Sequence, residues 1–131
     1  MSADNTICVF NFKDQSRVVH AQAIENLWWD YKTFSEKENF VPTRVFEYCN
    51  GGRSFSNSQL ASDYAFQMLE SLPVVEYGVQ RFDIDKTWQE LVFDAKEHAK
   101  VEIESIVSGE DKFAEKYEIP RLKEIVDWHV F

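Results

Sequence analysis

Residues 85–109 read DKTWQELVFDAKEHAKVEIESIVSG, and their reading decides the class of fold. Trp88, Leu91, Val92, Ala95, Ala99, Ile103 and Ile106 recur at intervals of three and four, the repeat of one buried helix face. Asp85 is placed to cap the first turn, and the helix runs to about Val107 and is stopped by Gly109. No strand-like run comes after it. A shorter helical piece contains Phe113 and Tyr117, and Pro120 then suits the first turn of a last helix with Leu122, Ile125, Val126 and His129 inward. A terminal run of helices without intervening strands predicts an α+β fold.

The strands must therefore come earlier. TICVFNFK at 6–13 is β-branched and aromatic and reads as a strand. Ser16 is placed to cap the next element, a helix in which the apolar residues from His20 onward, Ile24, Leu27, Trp28, Tyr31 and Phe34, have helical spacing. Pro42 ends that element. TRVFEYC at 43–49 reads as a second strand, with a turn after it at Asn50-Gly51-Gly52. Another helix begins near Asn57 or Ser58, shows the face Ala61, Tyr64, Ala65, Met68, Leu69 and Leu72, and stops at Pro73. VVEYGVQRF at 74–82 reads as a third strand in which Gly78 marks a weak point or a bulge. The expectation is α+β: a small, about three-stranded sheet packed with four to five helices, the C-terminal half helical. Residues 1–131 show no repeat and no linker, so they are expected to form a single globular domain.

Composition narrows the functional classes. The net charge is −9, and residues 83–131 carry seven basic against thirteen acidic groups, so −6 of it lies in the helical part. Such a surface repels phosphate backbones and anionic lipid and attracts basic partners, although acidity also keeps ordinary soluble proteins dispersed. Direct nucleic-acid binding is not expected, because no basic stripe is available to neutralise phosphates. No window approaches the roughly 18 apolar residues of a membrane span. The N-terminus, MSADNTICVFNF, lacks the pattern of a signal peptide, and a cytoplasmic location is expected. Cys8 and Cys49 both fall in strand-like stretches and are expected to be buried thiols.

Few residues are arranged for chemistry. The Gly-rich stretch CNGGRSFSNSQ at 49–59, read as a strand-to-helix loop, could offer Gly51, Gly52 and Arg53 to an anion. It has neither the P-loop nor the GxGxxG spacing, and a turn plus a helix cap explains the same letters. Asp94, His98 and Glu102 are spaced i, i+4, i+8 along the long helix. Metal ligation would need further ligands, so His98 and Glu102 are expected to be a half-buried hydrogen-bonded pair, with no metal and no cofactor. Nothing local activates Cys49 as a nucleophile.

Surfaces remain. Trp28 lies on the stripe of its helix, whereas Trp29 is turned about 100° from it. Phe66 and Phe93 are also off their stripes. Such aromatics either pack under another element or mark contact with a partner. The predicted function is a non-enzymatic acidic protein-binding module, in outline like an inhibitor or immunity protein that neutralises a basic, nuclease-like or nucleic-acid-binding partner. That likeness is one of charge and size only, and no motif matches a known family. Trp29, Asp30, Glu90, Asp94, Glu97 and Glu104 are the predicted partner-binding residues. Two alternatives stand beside it. One is a small enzyme or ligand-binding domain using Gly51, Gly52 and Arg53 for an anionic group. The other is a homo-oligomeric subunit, a homodimer for example, joined through the off-face aromatics.

Overall fold

A computed structural model describes residues 6–21, 33–34, 36–72 and 78–129. Two strands, β1 (Thr6–Asn11) and β2 (Ser16–Ala21), lead to α1 (Pro42–Asn50) and a short β3 (Arg53–Phe55). Then come α2 (Ser58–Ser71), β4 (Val79–Asp83), α3 (Trp88–Ser108) and α4 (Lys112–Val126). Thr33 and Phe34 have helical backbone, and a 3-10 turn covers Lys37–Asn39. The architecture is α+β with a helical C-terminal half, and the sheet has four strands rather than three, in the order β3-β2-β1-β4. β1 pairs antiparallel with β2 and parallel with β4, and β2 pairs antiparallel with β3.

β1 is central because both of its faces are apolar. Ile7 and Val9 join Val18, Ala61 and Ala65 under α2, while Cys8, Phe10 and Phe12 point into the larger core beneath α1, α3 and α4. A strand buried on both faces reads as a continuous apolar run, as Ile7–Phe10 does. The larger core is built on rings. Phe10 stacks on Phe82 at 5.1 Å between centroids and meets Phe34 edge-on at 5.2 Å.

The sheet departs from the sequence reading at three places, one of them β3 (Arg53–Phe55), which lies in a stretch expected to be a loop. Residues 16–21 form a strand, not the approach to a helix. The β1–β2 connection closes through Phe12 N–H to the Gln15 carbonyl (2.8 Å) and Ser16 Oγ to Asn11 Oδ1 (2.7 Å), without the Asn-Gly pair that usually announces a hairpin. Residues 43–49, expected as a strand, are helical. Strand alternation would have aligned Glu47 with the buried Thr43, Val45 and Cys49, whereas the helix turns Glu47 outward and buries Phe46. Pro42 starts this helix at its first turn, where its missing N–H costs nothing. Cys49 is accordingly buried on a helix, not on a strand.

The helical half agrees more closely with the predicted stripe. Trp88, Leu91, Val92, Ala95 and Ala99 are buried, with Ile103 and Ile106 packed against them. The cap is Thr87 rather than Asp85: Thr87 Oγ1 accepts from Glu90 N–H, and the Glu90 carboxylate accepts from Thr87 N–H. The last two helical pieces are one helix, because Pro120 lies inside α4. Pro120 and Lys116 are both exposed, so the carbonyl that loses its donor there faces water. His129, expected inward, is exposed. α2 begins at Ser58 with Asn57 as its cap, as expected. Of the third predicted strand only Gly78 onward is described. Gly78 has φ of +63° and presents its carbonyl to Ile7 N–H and Thr6 Oγ1.

Candidate functional site

Of the six predicted partner-binding residues, Trp29 and Asp30 lie outside the described residues, as does Trp28. The other four are on α3. Opposite the buried stripe, Glu90, Phe93, Glu97, Val101 and Glu104 succeed one another at intervals of three and four, and all five are exposed. Carboxylates therefore alternate with apolar side chains along one line, and Phe93 and Val101 are each 63% exposed. Asp94 sits at the side of this line and is ion-paired with Lys86, which spans from the loop before the helix. Among the described residues Glu97 makes only an exposed i,i+3 pair with Lys100, the kind that contributes little to folding. The Glu90 carboxyl is held below its usual range by hydrogen bonds from the Thr87 backbone and side chain, so it stays charged. Val101 is not among the residues that the sequence reading selects, although its spacing of eight from Phe93 is there to show it.

Phe66 and Phe93, predicted off-face, are both exposed, and the Arg81 guanidinium lies 5.8 Å from the Phe66 ring. α4 adds Phe113 and Tyr117, the first 70% exposed, with ring centroids 4.6 Å apart. Their i,i+4 spacing is visible in the sequence, but the same spacing suits a core-facing stripe. No helix among the described residues is long and apolar enough to cross a membrane.

The Gly-rich stretch is not one strand-to-helix loop: it runs from the end of α1 through β3, which includes Arg53, to the start of α2. Gly52 donates its N–H to the Cys49 carbonyl at 3.0 Å. A Cβ on Gly52 would lie 2.8 Å from Val19 Cγ2 and 3.0 Å from the Val18 carbonyl, so the glycine lets the turn press onto β2. The Arg53 guanidinium lies over Tyr64 at 4.8 Å and Phe55 at 5.5 Å. Gly52→Ala is expected to destabilise by about 1–3 kcal/mol, the cost of overpacking. Gly51→Ala, whose Cβ would meet nothing within 4 Å, is expected to be near neutral. Equal urea midpoints for the two variants would contradict this account.

His98 and Glu102 form the expected half-buried pair at 2.9 Å. Thr43 joins them from α1, its Oγ1 lying 3.2 Å from His98 Nδ1 and 3.5 Å from Glu102 Oε1. A hydroxyl, an imidazole and a carboxylate thus meet, but hydroxyl and carboxylate share the same ring nitrogen. Proton relay needs them on opposite nitrogens, so the cluster serves to tie α1 to α3. Cys49 is no better placed. Burial pushes its thiol well above the usual range, and the nearby Arg17 only partly opposes that. The described residues include no cluster of three or more potential metal ligands.

Comparison with protein families, with curated proteins and with solved structures gives no match.

Proposed function

We propose that this protein is a non-enzymatic binding module that engages a basic protein through the outward face of α3, acting as an inhibitor or immunity-type partner. One observation carries the reading: the exposed line Glu90, Phe93, Glu97, Val101, Glu104, in which acids flank uncovered apolar side chains. Exposed carboxylates speed encounter with a cationic surface and suppress wrong partners. Apolar side chains between them supply the desolvated contact that charge alone does not. The surplus of acid over base in residues 83–131 acts in the same direction.

The test is affinity capture of a basic partner from the source organism, and then calorimetry on the purified pair at low and high salt. Wild-type affinity should fall as salt rises, because the screening length shrinks from about 10 Å at 0.1 M to about 3 Å at 1 M. Glu97→Lys/Glu104→Lys should weaken binding at low salt by roughly tenfold or more, since each reversal of a rim charge changes the interaction by up to about 1 kcal/mol. It should leave thermal unfolding nearly unchanged. A complex indifferent to salt and to both reversals would refute the electrostatic reading.

A further inference from the structure

The outward face of α3 carries a stricter order than the alternation of acid and apolar groups. Glu90, Glu97 and Glu104 are seven residues apart, and so are Phe93, Lys100 and Val107, which follow them by three. All six are exposed, Phe93 at 63% and Val107 at 59%. Alternating steps of three and four define the a and d positions of a heptad repeat, here a seam that runs along most of the 21-residue helix. The core stripe, with Trp88, Leu91, Val92, Ala95 and Ala99, is buried on the other side.

The charges of the seam are only partly used within the fold. Glu90 gives one carboxylate oxygen to the cap of α3 and keeps the other. Lys100 lies 3.1 Å from Glu97 in an exposed pair. Among the described residues Glu104 has no ion pair. Three carboxylates stand against one ammonium, so the seam is negative along its length while Phe93 and Val107 leave apolar surface uncovered.

The spacing selects the shape of what covers it. Seven residues of helix rise about 10.5 Å. A second helix repeats over the same distance and keeps its side chains in step with all three carboxylates. An extended strand does not. Its same-face side chains recur at about 6.6 Å, so the central carboxylate falls between two of them. A second copy of α3 suits the seam poorly as well, since two such seams bring six carboxylates against two ammoniums in chains of net charge −9.

We propose that the occupant of this seam is a basic α-helix of the partner, with Lys or Arg at every seventh position and apolar side chains between them, packed along α3 as in a two-helix coiled coil. The cations meet Glu90, Glu97 and Glu104, and the apolar side chains cover Phe93, Val107 and the stem of Lys100. This deepens the α3 reading and rests on it for the choice of face. What it adds is the partner's secondary structure and the spacing of its charges.

The probe is a synthetic peptide of three heptads with one Lys and one Leu per heptad on its seam, titrated into the full chain by calorimetry and followed by circular dichroism. A control of the same composition has its lysines moved off the seven-residue spacing, so both peptides carry the same net charge. The in-register peptide should bind at least tenfold more tightly than the control and gain helicity on binding. Glu97→Lys/Glu104→Lys should weaken it at least tenfold, and Glu in place of the two facing lysines should restore it. Phe93→Ala/Val107→Ala, two exposed positions, should weaken it without lowering the melting temperature. Equal binding of the two peptides, or binding without added helicity, would overturn the assignment. So would self-association of the protein that Phe93→Ala/Val107→Ala abolishes, which puts a second copy on the seam. Failure of the α3 reading shows differently, as a captured natural partner indifferent to salt and to both charge reversals.

Discussion

Trp88→Ala is expected to cost about 3–5 kcal/mol, the range for removing a large aromatic from a core. Several contacts end at that ring. Phe46 stacks on it at 5.8 Å, Phe12 meets it edge-on at 5.4 Å, and the Arg17 guanidinium lies over it. The loss is more than a cavity. Arg17 is already costly to hold, since burial lowers its pKa from the ordinary arginine value, and the indole is part of what makes its position acceptable. Trp88 also opens α3, where its backbone N–H donates to Asp14 Oδ1 (2.9 Å) and ties the helix start to the β1–β2 turn, a bond that the alanine keeps. With folding free energies of 5–15 kcal/mol in typical domains, the variant should melt roughly 10–20 °C lower. Trp88→Phe, which keeps a ring over Arg17, should lose clearly less. Equal urea midpoints for Trp88→Phe and Trp88→Ala would show that volume alone matters at this site.

Phe93→Ala is expected to separate binding from folding. The side chain is 63% exposed and belongs to no part of the core, so its removal should leave unfolding almost unmoved. If the outward face of α3 is the contact surface, Phe93 is its largest apolar group and fills the role of a central anchor. Truncating such an anchor typically costs 2 kcal/mol or more, which is about a thirtyfold rise in Kd. The loss should persist at high salt, unlike that of the charge reversals, because burial of an apolar ring is not screened. Calorimetry with the captured partner at two salt concentrations reads both effects. An unchanged Kd would remove Phe93 from the interface, whatever the acids do.

The legible parts of this chain are those where one pattern has one structural solution. The stripe of α3 repeats over five turns, and no other element can bury Leu91, Val92, Ala95 and Ala99 together. The β-branched and aromatic run TICVFN is the strand that its composition indicates. The start of α2 is marked by Asn57, whose Oδ1 accepts from Leu60 N–H. Where a segment is short, β-branched residues mislead. TRVFEYC has strand-like composition, yet it is helical because tertiary packing needs Phe46 and Cys49 on one side and Glu47 on the other. The sign is in the letters: strand alternation fails at Glu47. SRVVHA conceals a strand for the opposite reason, since its turn lacks glycine and the serine that opens it resembles a helix cap.

The site divides in the same way. Glu90, Glu97 and Glu104 can be chosen from sequence because helical projection places them away from the stripe. Asp94 cannot be set aside on that ground, since its pairing with Lys86 joins a loop to the helix. The sequence by itself determined the class of fold, the acidic helical half and the outward line of α3, because those depend on local periodicity and charge. Only the tertiary structure decided the strands at residues 16–21 and 53–55 and the helical state of residues 42–50. Those depend on which neighbours bury a side chain, and no single segment carries that information.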